Sequence, residues 1–227
     1  MIKFENTEVM NFKSALRGMR NPLNSWDKSD SKKCNEMDCE ECQYRWSKCD
    51  DFGLKDLVYI GENDLKLAKN LIKAGSDHRK FMRQILVSVD ITAPIYWWKE
   101  FSTYKVGTVA NSCSTMHTIH KKEITVDDFS RDNMSILARD VLDDVISVLN
   151  SLREDFIENN NKISWRDMIQ LLPMSYNQKR TVTLNYETLF NIYGSRKNHK
   201  LDEWSKGFIS WIESLPYAKE LIIEREA

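Results

Sequence analysis

Glycine and proline are scarce in this chain, and the scarcity excludes several kinds of site. Seven glycines and four prolines among 227 residues form no G-x-G-x-x-G and no G-x-x-x-x-G-K-[ST]. Neither a Rossmann turn nor a P-loop can therefore be built, since both need glycine where the backbone closes on a phosphate. A G-x-S-x-G elbow and an H-E-x-x-H helix are missing too, which removes the ordinary hydrolase readings. No run approaches the roughly 20 apolar residues that cross a bilayer. The opening MIKFENTEVMNF alternates charged and apolar residues and has no signal-peptide core, so a cytoplasmic protein is the expectation. Charge of one sign is also lacking. With 33 Lys and Arg against 34 Asp and Glu, the net charge is -1; no global field attracts nucleic acid or an anionic membrane, and any anion site has to be local.

What the chain does hold is apolar surface. A hydrophobic fraction of 41% with seven Trp is too rich for disorder and supplies a sizeable core, and the length suits a single domain over residues 1–227. Periodicity predicts a strand in residues 3–12 and a helix at 14–19 that stops before Pro22. An amphipathic helix at 62–74 has Asn63 as N-cap and Gly75 at C′. Ser76 caps a helical stretch at 77–83, a strand follows at 85–91, and a helix runs from Pro94 through Phe101. Residues 103–117 have no sustained period and read as loop. Met134, Leu137, Val141, Val145, Val148, Leu152 and Phe156 form the buried stripe of a helix at 133–158. Ser164 caps a short helix that ends at Leu172-Pro173, and a brief strand at 181–184 precedes helices at 186–193 and 202–215. Helices outnumber strands without regular alternation, which predicts an α+β fold.

Residues 94–117, PIYWWKEFSTYKVGTVANSCSTMH, carry the most chemistry. An aromatic helix runs into a polar stretch with Lys105, Thr108, Asn111, Ser112, Ser114 and His117, whose hydroxyls, amides and backbone N–H groups suit a phosphate or nucleotide. The same composition also serves a plain surface loop, and Trp97 and Trp98 fit a core or a subunit contact as well as a cofactor wall. His78 and His120 have no partner spacing that names a role, whereas His117 closes the loop.

Four of the five cysteines, Cys34, Cys39, Cys42 and Cys49, fall in a charged insertion at about 27–52 with few aliphatic residues. Their C-x4-C-x2-C-x6-C spacing can wrap a tetrahedral structural Zn2+, since four thiolates leave no open position. Exposed thiols or a redox pair fit the same spacing.

The 94–117 stretch resembles the signature of flavin-dependent thymidylate synthases, an aromatic helix followed by R-H-R-x-x-S-x-N-E-x-S-x-R-Y. Thr103, Tyr104 and Lys105 stand at Arg-His-Arg, Thr108 at the serine, and Asn111, Ser112, Cys113 and Ser114 at N-E-x-S after one extra residue; Met116-His117 stand at R-Y. A second block, Leu172-Pro173, Leu184-Asn185 and a helix ending at Ser195-Arg196, is similar to the family's closing pattern. There Glu187 replaces the arginine of N-x-R, and Leu201-Asp202 and Lys206 stand where A-Q and a last Arg would be.

The resemblance implies a thymidylate synthase-like α+β fold, a mixed sheet packed by helices, with a Cys-rich insertion and with sites assembled in a homotetramer. It implies reductive transfer of a one-carbon unit, as methyl, from methylene-tetrahydrofolate to a deoxyuridylate-like pyrimidine deoxynucleotide, with FAD and NADPH. By resemblance Arg196 polarises the pyrimidine ring, with Ser114 as the second catalytic residue. Asn111, Ser112 and Ser114 meet the phosphate, and Glu100 faces the substrate where the family carries Gln. Tyr104, Lys105, Asn185 and Asn191 hold the flavin. Each arginine lost from the pattern removes charge-assisted hydrogen bonds worth about 1.5 to 3 kcal/mol, or roughly ten- to a hundredfold in affinity. A diverged homologue that binds nucleotide or flavin without catalysis, or with an altered substrate, is therefore the second expectation.

Overall fold

Alternating side chains make the sheet of this protein and three-four spacing makes its helices. The computed structural model describes residues 2–33 and 58–224. Strand β1 (Lys3–Met10) leads through Asn11, held at φ 73°, into α1 (Phe12–Arg20). A 3-10 turn at Asn21–Leu23 with Pro22 in its first positions ends that helix, as the missing proline N–H requires. The short strands β2 (Lys32–Lys33) and β3 (Val58–Tyr59) pair antiparallel, Lys32 opposite Tyr59 and Lys33 opposite Val58.

Helix α2 (Glu62–Lys73) follows. Its N-cap position is Gly61, not the expected Asn63. The capping oxygens come from another part of the chain: Asp30 accepts from the Asn63 and Asp64 N–H groups at 2.9 and 3.1 Å, satisfying donors that a helix start leaves open. Gly75 at φ 107° terminates α2 as its position predicts. The stretch after Ser76 is a 3-10 segment, Arg79–Gln84, rather than an α-helix, and no side chain caps it.

Strand β4 (Leu86–Pro94) buries Val87, Val89, Ile91 and Ala93 at every second position, the period-2 pattern of a pleated strand. Helix α3 (Ile95–Phe101) starts directly after Pro94. The expected 103–117 loop instead contains β5 (Thr108–Ser112) and the single-turn α4 (Thr115–Thr118). Beyond them come α5 (Ile136–Asn159), α6 (Lys162–Leu171), β6 (Asn177–Asn185) and α7 (Tyr186–Arg196). The predicted 202–215 helix is a π-helical stretch, Glu203–Phe208, running into α8 (Ile209–Ser214), and a second π-helical stretch, Lys219–Ile223, follows. The main sheet has the order β1-β4-β6-β5. Among the described residues no helix is long and apolar enough to cross a membrane.

The chain resolves into two compact units, one of Met1–Lys3, Ile91–Thr103 and Asn111–Arg180, the other of Phe4–Asp90, Tyr104–Ala110 and Thr181–Ala227. The first is built on α5 and α6, with Leu142, Ile146, Leu149, Met168, Ile119, Ile124 and Phe129 as its core. Here the structure corrects the predicted stripe. Leu137, Val141 and Val148 are exposed, at 74%, 55% and 48%, whereas Met134, Val145, Leu152 and Phe156 of the same stripe pack, half-buried, against Leu142, Ile146 and Leu149; the buried face is the predicted one turned toward those three residues. Ser164 is not the α6 cap either: Asn161 accepts from the Ile163 N–H at 3.0 Å, and buried Ser164 donates to Asp155.

The second unit is an aromatic core. Phe4 stacks on Trp211 at 5.0 Å between centroids, Phe12 meets Tyr186 and Tyr217 edge-on, and Trp204 meets Phe208. Its buried charges include the Arg20–Asp64 pair. Asp64, 0% exposed, takes hydrogen bonds from Arg20, Ser29 and Ser31. Burial pushes the Asp64 carboxyl up, but the bonds from Ser31, Ser29 and Arg20 outweigh it and hold it below the usual carboxylate range.

Candidate functional site

In the second unit, Tyr104 meets the end of α7. Tyr104 follows α3 in a 3-10 turn (Ser102–Tyr104), and its hydroxyl accepts from Arg196 Nε at 2.8 Å. The Arg196 guanidinium lies 4.8 Å from the Trp204 ring centroid and 5.6 Å from that of Tyr104, so two aromatic rings and a hydroxyl set its plane. The turn is closed from within by Thr108 Oγ1, which donates to the Tyr104 carbonyl at 2.9 Å. Lys105 is exposed beside it.

Gly107 has φ 85°, and a Cβ there would stand 2.7 Å from Thr188 Oγ1 and 3.3 Å from Asn185 Nδ2. Only glycine permits both that dihedral and that approach. Asn185 is the N-cap of α7: its Oδ1 accepts from the Thr188 N–H at 2.9 Å and from Thr188 Oγ1 at 3.1 Å. One end of the amide is thus committed to the helix while Nδ2 faces the turn. Asn191 is exposed on α7 and accepts from Arg79 Nη2 at 3.5 Å.

Glu187 shows what its charge does in place of an arginine. It is 8% exposed and binds two guanidiniums, Arg79 Nε at 3.2 Å and Arg83 through Nε and Nη2. Arg79 also lies over the Phe190 ring at 4.5 Å. Arg79 and Arg83 belong to no motif of the sequence; the basic run HRKFMR before β4 is the signal that marks them.

The first unit holds the other predicted residues. Glu100 is half-buried on α3, and its carbonyl accepts from Thr103 Oγ1 at 2.8 Å. Asn111 and Ser112 are exposed at the end of β5. Ser114 caps the single turn of α4, its Oγ accepting from the His117 N–H at 3.3 Å. His117 is exposed, as is His78 in the second unit, whereas the His120 ring packs edge-on against Phe156 at 5.0 Å with Nδ1 buried and without a hydrogen-bond partner. Gln178 and Arg180 on β6 carry no motif in the sequence, yet this strand borders the loop: Gln178 Nε2 donates to the Cys113 carbonyl at 2.9 Å.

The structure therefore brings Tyr104 to Arg196 and Gly107 to Asn185 within one unit, and groups Ser114 with the 111–115 loop in the other. Cys34, Cys39, Cys42 and Cys49 lie outside the described residues. Among the described residues no three His, Cys, Asp or Glu side chains converge on a metal position.

No protein-family model and no curated protein matches the chain. Solved structures do. A crystal structure of thymidylate synthase X (ThyX) from Helicobacter pylori with FAD and dUMP aligns at a TM-score of 0.64 with 14% identity, covering 99% of this chain and 98% of that one. A second Helicobacter pylori structure, a flavin-dependent thymidylate synthase ThyX complexed with FAD and dUMP, aligns at 0.62, also with 14% identity, covering 98% of each. Over nearly its whole length, then, the chain has the fold of flavin-dependent thymidylate synthase structures.

Proposed function

We propose that this protein binds a flavin and a pyrimidine deoxynucleotide and transfers a one-carbon unit, as a methyl group, to a deoxyuridylate-like substrate. The observation that carries the proposal is the 2.8 Å bond between Arg196 Nε and the Tyr104 hydroxyl, which joins the two motif-bearing segments within a fold shared with structures that hold FAD and dUMP. Arg196, its plane set by Tyr104 and Trp204, polarises a pyrimidine carbonyl through its planar charged donors. Asn111, Ser112 and Ser114 orient the nucleotide phosphate, and Glu100 faces the substrate. Tyr104, Lys105, Asn185 and Asn191 hold FAD, and the close approach of Gly107 to Asn185 leaves backbone and an amide nitrogen where a Cβ would otherwise intrude. FAD, when bound, supplies the hydride chemistry; methylene-tetrahydrofolate supplies the carbon and NADPH the reducing equivalents. A homotetramer completes the assembly in this proposal.

One observation favours the second reading, a nucleotide- or flavin-binding homologue without this catalysis or with an altered substrate. Glu187 occupies both Arg79 and Arg83 with an internal carboxylate, so charge in the part of the site that carries the N-x-R position is spent within the protein. An absorbance spectrum with and without added FAD tests binding, and tetrahydrofolate-dependent tritium release from a C5-labelled deoxyuridylate tests catalysis. A colourless protein that binds neither FAD nor nucleotide refutes both readings; flavin bands that shift on adding nucleotide, without tritium release, select the second.

A further inference from the structure

Strand β6 turns Gln178 and Arg180 to one face, as their spacing of two requires. There the Arg180 guanidinium lies 4.4 Å from the Trp98 ring centroid. Its Nε and Nη2 both donate to a single oxygen, Gln178 Oε1, at 3.0 and 2.8 Å. The other end of that amide is also used: Gln178 Nε2 donates to the Cys113 carbonyl at 2.9 Å and to Thr115 Oγ1 at 3.3 Å. Donors on one side and acceptors on the other fix the orientation of the amide. Trp98 is held in turn, 1% exposed and donating through Nε1 to the Gln178 carbonyl at 2.9 Å.

A half-buried cation is therefore clamped between an indole and an amide, one side chain away from the loop at 111–115. Among the described residues no carboxylate pairs with it. Burial lowers its pKa from the ordinary arginine value, with no neighbouring charge acting in return, which is the signature of a charge taken from water without a counter-ion. Arginine keeps its proton in any event. Such a group costs folding energy unless something negative completes it. A guanidinium has five N–H donors and two bonds are spent on Gln178, so the others suit an oxyanion held in the fork geometry that arginine offers to phosphate.

We propose that Arg180 is an oxyanion-binding residue and that its anion is the phosphate of the nucleotide, received beside residues 111–114. The identity of the anion rests on the function proposed above; the geometry of the cation does not. On this view the cation missing from the loop, where Thr103 and Met116 stand in place of arginines, has moved to β6, which neighbours β5 in the sheet.

The test is calorimetric titration of the full chain with deoxyuridine 5′-monophosphate, deoxyuridine and inorganic phosphate. The monophosphate should bind at least about tenfold tighter than the nucleoside, and Arg180→Gln should weaken the monophosphate by about ten- to a hundredfold while leaving the nucleoside unchanged. Gln178→Glu keeps the guanidinium and its stacking but hands it an internal carboxylate; it should melt at or above the wild-type temperature and lose phosphate affinity to a similar degree. Should Arg180→Gln not fold, this second variant carries the comparison. Wild-type affinity for the monophosphate in both variants overturns the anion site and leaves the nucleotide reading standing. Inorganic phosphate binding that is abolished by the variants, with no monophosphate binding, keeps the anion site and overturns the nucleotide assignment. Failure of the wild type to bind either phosphate species overturns the proposal altogether.

Discussion

At the scale of single residues, the charges least legible in the sequence are those whose partners are far away along it. Asp64 reads as one more polar residue in the first turn of α2, yet it is fully buried and neutralised by Arg20, 44 positions earlier. Glu187 reads as a lost arginine until Arg79 and Arg83 are seen to converge on it. Tyr104 and Arg196, by contrast, both stand at motif positions, and their contact is one that the order of the residues anticipates. Asp64→Asn keeps the shape and removes the charge, stranding Arg20 in the interior. The expected loss is about 3 to 5 kcal/mol in urea unfolding; a loss below about 1 kcal/mol would show that solvent reaches the pair. Gly107→Ala strains a backbone at φ 85° and drives a methyl toward Thr188. It should cost about 1 to 3 kcal/mol, with nucleotide or flavin affinity falling alongside.

At the scale of elements, helices announced themselves by period but not by orientation. The existence and approximate span of α5 followed from its apolar spacing. The centre of its buried face did not, because the apolar arc is broad: Val145, Leu152 and Phe156 of the predicted stripe pack against the core, but Leu137, Val141 and Val148 at one edge stay exposed while Leu142, Ile146 and Leu149 at the other are buried, and only packing against α6 and its neighbours sets that rotation. The choice can be measured. Leu149→Ala should destabilise by about 2 to 5 kcal/mol through lost burial and the cavity left behind, whereas Val148→Ser should stay within about 0.5 kcal/mol in a protein dilute enough to be free of self-association. The reverse ranking would place Val148 rather than Leu149 in the core. Strand β5 was missed for a related reason: Thr108 to Ser112 is almost entirely exposed, so it has no buried face to print an alternation, and its hydrogen bonds to β6 come from the sheet rather than from its own composition.

At the scale of the whole molecule, the α+β class was legible because helices and strands did not alternate, and the order of the two motif blocks pointed to the fold that structural comparison found. The division into two compact units was not legible, since their boundaries cut β4, β5 and β6 at positions with no change of composition. The distribution of shifted carboxyls also has a molecule-wide consequence. Asp64, Asp155 with its bonds from Ser164, Asn159 and Asn161, and Glu224 beside Lys69 all lie below their ordinary pKa. A depressed carboxyl contributes stability in full above its unfolded pKa, about 4, and loses it as pH falls through the folded value. Lys122, raised by its bond to Asp128, acts in the opposite direction and is lost only as pH rises past about 10. Urea midpoints should accordingly be level from about pH 6 to 9 and fall steeply below pH 4, and Asp64→Asn should flatten that acid limb. The antiparallel stem of β2 and β3 bears on how this protein can be handled. Because Lys33 and Val58 face each other across it, their Cα atoms sit only about 5 Å apart, so the chain leaves the described fold and re-enters it at a single point, and a fluorophore pair placed at these two ends would report whether that stem stays closed.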